Sequence, residues 1–141
     1  MAAADLNSIR ATIEGRLATE LANSPAIPVV FHNMAYEPTP NSSWVQCLTS
    51  FGANEYLGHG LATSSRNRIV GLVVMNIFSA NGVGPGANLV IGKRIRDLYN
   101  SVIVSGVFFD APSGPEVSAS PSPEGYFQTQ VRVTFEFIEE L

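Results

Sequence analysis

Hydrophobic positions along the chain hold one period for a stretch and then switch, and each switch marks an element. Leu6, Ile9, Ile13, Leu17 and Leu21 recur every three or four residues. That spacing predicts an amphipathic helix, with Asp5 as N-cap and Arg10, Glu14 and Glu20 off the apolar stripe. Asn23-Ser24-Pro25 ends it, because a residue before proline resists the helical region. A short extended piece follows at Val29-Val30-Phe31, bracketed by Pro28 and His32-Asn33. Residues 34–43, with Pro38 and Pro40, read as a loop. Residues 44–51 then alternate as a strand, with Val45, Cys47, Thr49 and Phe51 on one side.

The centre of the chain is the stretch from Arg68 to Asn100. Residues 69–78 form an apolar run rich in β-branched residues, the pattern of a strand covered on both faces. Gly82, Gly84 and Gly86 around Pro85 break it. The period then becomes helical over residues 87–99, with Ile91, Ile95, Leu98 and Tyr99 on one face and Lys93, Arg96 and Asp97 elsewhere. Residues 102–109 predict a further strand. Residues 111–125 hold Pro112, Pro115, Pro121 and Pro123 among serines and glycines and read as a mobile loop. In the last strand Phe127, Thr129, Val131, Val133, Phe135 and Phe137 face one way. Gln128, Gln130, Arg132, Thr134 and Glu136 face the other.

These elements predict an α+β fold: a mixed, mainly antiparallel sheet of four to five strands with two helices packed on one face. One domain spans residues 1–141, with residues 52–67 and 111–125 projecting. Two helices cover one face only. The second face of the strand at residues 69–78 is then covered either by a neighbouring subunit or by the chain's own core.

Composition narrows the function. A chain of 141 residues with 45% hydrophobic content supports one modest core. The net charge is -4 and the basic residues do not cluster, which argues against sequence-specific nucleic-acid binding. Cys47 is the sole cysteine, so there is no disulfide framework or cysteine metal site, and a reducing compartment is expected. No signal peptide is expected, and with no run of about 18 apolar residues no membrane span is expected either.

Candidate chemistry is sparse. Gly82-Val83-Gly84-Pro85-Gly86-Ala87 matches G-x-G-x-x-G/A by letter, and Asp110 closes the next strand where a ribose-binding acid would sit. Pro85, however, removes an N–H from a loop that should offer donors to pyrophosphate. A glycine-rich connection allowing close strand-to-helix packing is the plainer reading. Gly92-Lys93 falls inside the helix and is followed by Arg94 instead of Ser/Thr. His32 and His59 share no ligand spacing with acids or cysteine. Cys47 reads as a small core side chain. No catalytic residue, cofactor or metal ligand is expected. Asn76, in an apolar strand, needs buried partners and is expected to fix register or a subunit contact.

Order and spacing carry more than any single motif. The N-terminal helix is followed by Phe31-His32-Asn33 and by the Pro38/Pro40 loop leading to Trp44-Val45. Arg66 and Arg68-Ile69-Val70-Gly71 then open the long strand, ahead of the Gly82-Val83-Gly84 turn, the helix and Gly125-Tyr126 with the final alternating strand. In this order the chain resembles the tail-terminator-like minor tail proteins of long-tailed bacteriophages.

The resemblance implies a subunit that closes into a ring, usually six-fold, capping the finished tail tube and stopping its polymerisation. It implies the major tail tube protein and a head-tail connector or head-completion protein as partners. DNA would pass only as non-specific cargo. It also implies residence in the virion tail or neck after assembly in the bacterial host cytoplasm. Other readings are another neck component or a small dinucleotide-binding enzyme using the glycine turn. The expected contact residues are Tyr56 and Leu57 as an apolar anchor with Glu55 beside them, Arg66 and Arg68 at the far end of the same arm, and Asn76.

Overall fold

The computed structural model describes residues 5–23, 25–37, 42–58, 66–82, 84–117 and 125–140, with the backbone alone at 56–58 and 140. Two helices and seven strands follow in the order α1 (Leu6–Glu20), β1 (Val29–Val30), β2 (Trp44–Gly58), β3 (Arg66–Ala80), α2 (Gly86–Tyr99), β4 (Ile103–Val104), β5 (Val107–Phe109), β6 (Ser113–Val117) and β7 (Tyr126–Glu140).

The strands form one sheet in the order β1-β2-β3-β7-β5-β4, and β6 also pairs with β7. β1 runs parallel to β2, and every other pairing is antiparallel. The sequence expectation of four to five strands is therefore wrong: the sheet has seven among the described residues. The extra strands come from two places. Residues 102–109 are a hairpin, because Ser105 (φ 49) and Gly106 (φ 82) both take the left-handed conformation of a two-residue turn. The proline-rich stretch contributes β6, held on β7 at Ser113, Glu116 and Val117.

β3 and β7 pair without a shift from Arg66 opposite Glu140 to Ala80 opposite Tyr126. Strand β2 outruns its expected end at Phe51. After a register shift between Phe51 and Asn54 it continues beside β3 to Gly58. Residues 54–58 and 66–69 are thus a paired ribbon, not a loop.

The helices pack on one face of the sheet. Ile9, Ile13 and Leu17 of α1 and Ile91, Ile95 and Tyr99 of α2 join Val45, Cys47, Val73, Met75, Ile77, Val131, Val133 and Phe135 in one core. Asp5 caps α1 as expected, accepting from the Asn7 N–H at 3.0 Å and the Ser8 hydroxyl at 2.9 Å. Leu6, by contrast, is exposed, while Glu14 is buried. Its carboxylate pairs with Arg10 at 2.6 Å, which lets an acid expected on the polar side be buried. Gly71 is required by packing: a Cβ there would strike the Phe135 ring and reach 2.6 Å from the Ser50 carbonyl oxygen.

Among the described residues the opposite face carries no helix. At one end Trp44 stacks on Phe78 at 4.2 Å between centroids, and Val30, Tyr36 and Tyr126 close around them. Val70, Leu72 and Val74 farther along are only half-buried. Part of the second face of β3 is therefore covered by the chain itself, and part is not.

Candidate functional site

Asn76 lies near the middle of the helix-free face, between Gln46 on β2 and Gln130 on β7. Its amide nitrogen donates to Gln46 Oε1 at 3.1 Å. Its oxygen accepts from Gln128 and Gln130, each at 3.0 Å. Arg132 extends the row, donating to Gln130 Oε1 at 2.8 Å. A buried amide with both ends satisfied pins three strands in one register, since a slip of one residue would break every bond in the row.

Glu55 and Arg68 face each other across the β2–β3 ribbon. The Arg68 guanidinium contacts the Glu55 carboxylate and lies 3.5 Å from Glu136 on β7. Tyr56 is opposite Asn67, and Arg66 is flanked by Gly58 and Glu140. The expected contact residues thus fall into two groups. Glu55, Tyr56, Leu57, Arg66 and Arg68 share the ribbon end, whereas Asn76 stands eight residues up β3, roughly 26 Å away at strand rise. Gln46, Gln128, Gln130 and Glu136 complete both groups. The alternation of Gln128, Gln130 and Glu136 along β7 was readable, but the partners of each depend on strand register.

A cleft of about 420 Å³ opens beside Gly71, lined by Ser50, Gly52, Val70, Leu72, Asp110, Thr134 and Glu136 among others. Asp110 accepts from the Thr134 hydroxyl at 2.6 Å, so it belongs to this region. The glycine turn lies at the far end of the sheet, where β3 ends at Ala80 and β7 begins at Tyr126. The acid and the turn of the dinucleotide pattern are therefore separated by about eight residues of strand, roughly 26 Å.

Gly82 (φ 85) and Gly84 (φ 81) serve backbone conformation, and nothing lies within 4 Å of a Cβ placed on Gly82, Gly84 or Gly86. Close strand-to-helix packing is not their role. The hollow beside them, about 500 Å³, is lined by Ala80, Asn81, Pro85, Val117 and Phe127, and no cation for a phosphate is among these residues. The close helix approach comes instead at Gly92, where a Cβ would sit 2.6 Å from Pro115. Asn88, unnoticed in the sequence, is fully buried and bridges the helix to the sheet. It donates to the Ile77 carbonyl at 3.0 Å and to the Thr129 hydroxyl at 3.2 Å.

Cys47 is fully buried, and burial, with the Glu14 carboxylate nearby, pushes its thiol up to about 12. A thiol held protonated is no nucleophile at neutral pH. His32 is exposed, and His59 lies outside the described residues. Among the described residues no cluster of His, Cys, Asp and Glu could hold a metal ion, and no helix is long and apolar enough to cross a membrane.

The arrangement is one of pinned register, a helix-free face and a charged ribbon end, which suits contact with other proteins. Comparison with known proteins agrees. A solved structure with 16% identity covers 97% of this chain and 96% of its own, with a TM-score of 0.60, and shares the fold. No curated protein sequence matches the chain. A family model described as phage tail terminator protein matches residues 8–135. The chain belongs to the phage tail terminator family, and its role is structural, in the phage tail.

Proposed function

We propose that this chain caps the end of the tail tube as a closed ring of six, stops tube polymerisation and forms the tail side of the head-tail junction. The observation that carries the reading is the family match over residues 8–135. The helix-free face adds support, because Val70, Leu72 and Val74 stay half-buried where a neighbour would complete their burial. The ring contacts the tube protein on one side and a connector or head-completion protein on the other, and DNA passes without specific contact. Assembly takes place in the host cytoplasm before the ring is carried into the virion.

The test is electron microscopy of the purified chain, alone and mixed with tail tubes. Closed rings, free or seated on tube ends, are expected. A virion map placing the chain away from the tube end, or in an open stack, overturns the reading.

A further inference from the structure

β2 has a strand on its outer side only at Val45 and Gln46, where β1 reaches it. β1 stops there because the chain turns at His32 and Asn33, the latter at φ 60. Beyond Gln46, β2 pairs inward with β3, and among the described residues no backbone partner faces its outer side. Residues 47–51 carry no proline, lysine or other charge, the devices that normally blunt an open edge. The sheet's other end is also open. Among the described residues β4 pairs with β5 alone, Ile103 is 65% exposed, and its cross-strand neighbour Phe108 is 39% exposed.

These two edges match in direction and face. From β2 to β4 the order passes through β3, β7 and β5 by four antiparallel steps, so β4 runs the same way as β2. Rotation about a ring axis preserves a strand's sense along that axis. The β4 edge of one copy therefore meets the β2 edge of the next in parallel, the sense in which β1 already pairs there. The register also places Ser50, Leu72 and Thr134 on the helix-free face, and Glu136, Phe108 and Ile103 on that same face.

We propose that β4 of one copy adds to the open outer edge of β2 in the next, joining the sheets head to tail. The occupant is a second copy because a closing ring needs two different, complementary surfaces on one chain, and this sheet supplies both at its ends. The proposal rests on the ring reading above and assigns its interface.

Two measurements test it. The full chain carrying Ser50→Cys and Ile103→Cys is oxidised and run on a non-reducing denaturing gel beside each single variant. The double variant is expected to give a ladder of covalent multimers, and each single variant only monomer. In the unaltered chain, amide hydrogen exchange at residues 48–51 is expected to slow at least tenfold on ring formation. Rings with no ladder and unchanged exchange overturn the edge assignment and leave the ring reading standing. Absence of rings, both free and on tube ends, overturns both.

Discussion

Arg94 on α2 donates to the carbonyl oxygen of Glu20, the last residue of α1, at 2.6 Å. The same guanidinium reaches the Asn23 carbonyl at 2.8 Å and that of Pro25 at 3.1 Å. Arg16 returns the arrangement, donating from two nitrogens to the Leu98 carbonyl near the end of α2. Each helix thus supplies an arginine to a carbonyl in the last turn of the other. The side chain of Arg94 is 16% exposed, so its bonds are poorly replaced by water. Arg94→Ala is expected to lower stability by about 2–3 kcal/mol. Arg94→Lys should recover little of it, since one ammonium cannot span three carbonyls. Urea unfolding of both variants checks this, and a lysine variant as stable as the parent would refute the geometric account.

Gly71 and Gly82 separate two reasons for glycine. At Gly71 a side chain collides with Phe135 and the Ser50 carbonyl. Gly71→Ala should cost at least about 3 kcal/mol, because a three-strand layer must move. Gly82 has open space around it but a φ of 85, so Gly82→Ala should cost only about 1 kcal/mol. Thermal melts of the pair test the ranking.

Val133 and Arg132 are neighbours on opposite faces of β7. Val133 is 1% exposed in the core, whereas Arg132 is exposed. Val133→Asp buries an unpaired charge and should cost more than about 4 kcal/mol or abolish folding. Arg132→Ser removes one bond to Gln130 and should cost under about 1 kcal/mol. Equal melting temperatures would mean that β7 is not buried on one side only.

Cys47 gives an alkaline signature. Burial lifts its folded pKa from the ordinary 9.0 of a thiol to about 12, so the unfolded chain loses the proton first. Stability from this group is fully present below about pH 9 and is lost as pH rises toward 12, at up to about 1.4 kcal/mol per unit. Tyr99, buried and donating to the Ile13 carbonyl at 2.7 Å, is shifted upward too, chiefly by burial, and adds to the same trend. Cys47→Ala should flatten the fall between pH 9 and 11 relative to the parent, read by denaturant unfolding at each pH. An identical slope in both proteins would place the titrating groups elsewhere.

Tyr56 and Leu57 test the arm. Replacing both by serine keeps the backbone pairing of the ribbon and should leave the melting temperature within a few degrees. Phage carrying the double variant should nevertheless show overlong tubes or unjoined heads and tails. Normal infectious particles would mean that the ribbon end makes no needed contact.

Much of the framework was legible from residue period. The stripe from Ile9 to Leu17, the helix face of Ile91, Ile95 and Tyr99, and the alternation from Thr129 to Phe135 each bury the side expected, whereas at the start of β7 Gln128 is buried and Phe127 only half-buried. The short β1 was marked by its proline and polar brackets, and period failed at β4 and β5, where two or three residues complete no repeat. The Ser105-Gly106 pair did signal a turn, but Val102 to Phe109 looked apolar enough to read through it. β6 lay hidden in a proline-rich stretch. The need for partners at Asn76 was visible in sequence, but the identity of Gln46, Gln128 and Gln130 was not, because cross-strand neighbours are set by register.

The unshifted pairing of β3 with β7 has a mechanical consequence. Fifteen residues in each strand at about 3.3 Å per residue make a bar roughly 50 Å long. With no bulge along it, the bar has no built-in hinge. A push on the ribbon end at Arg66 must therefore reappear at Ala80 and Tyr126 as movement of the whole lever. Whatever seats against one end of this subunit is felt as a tilt at the other.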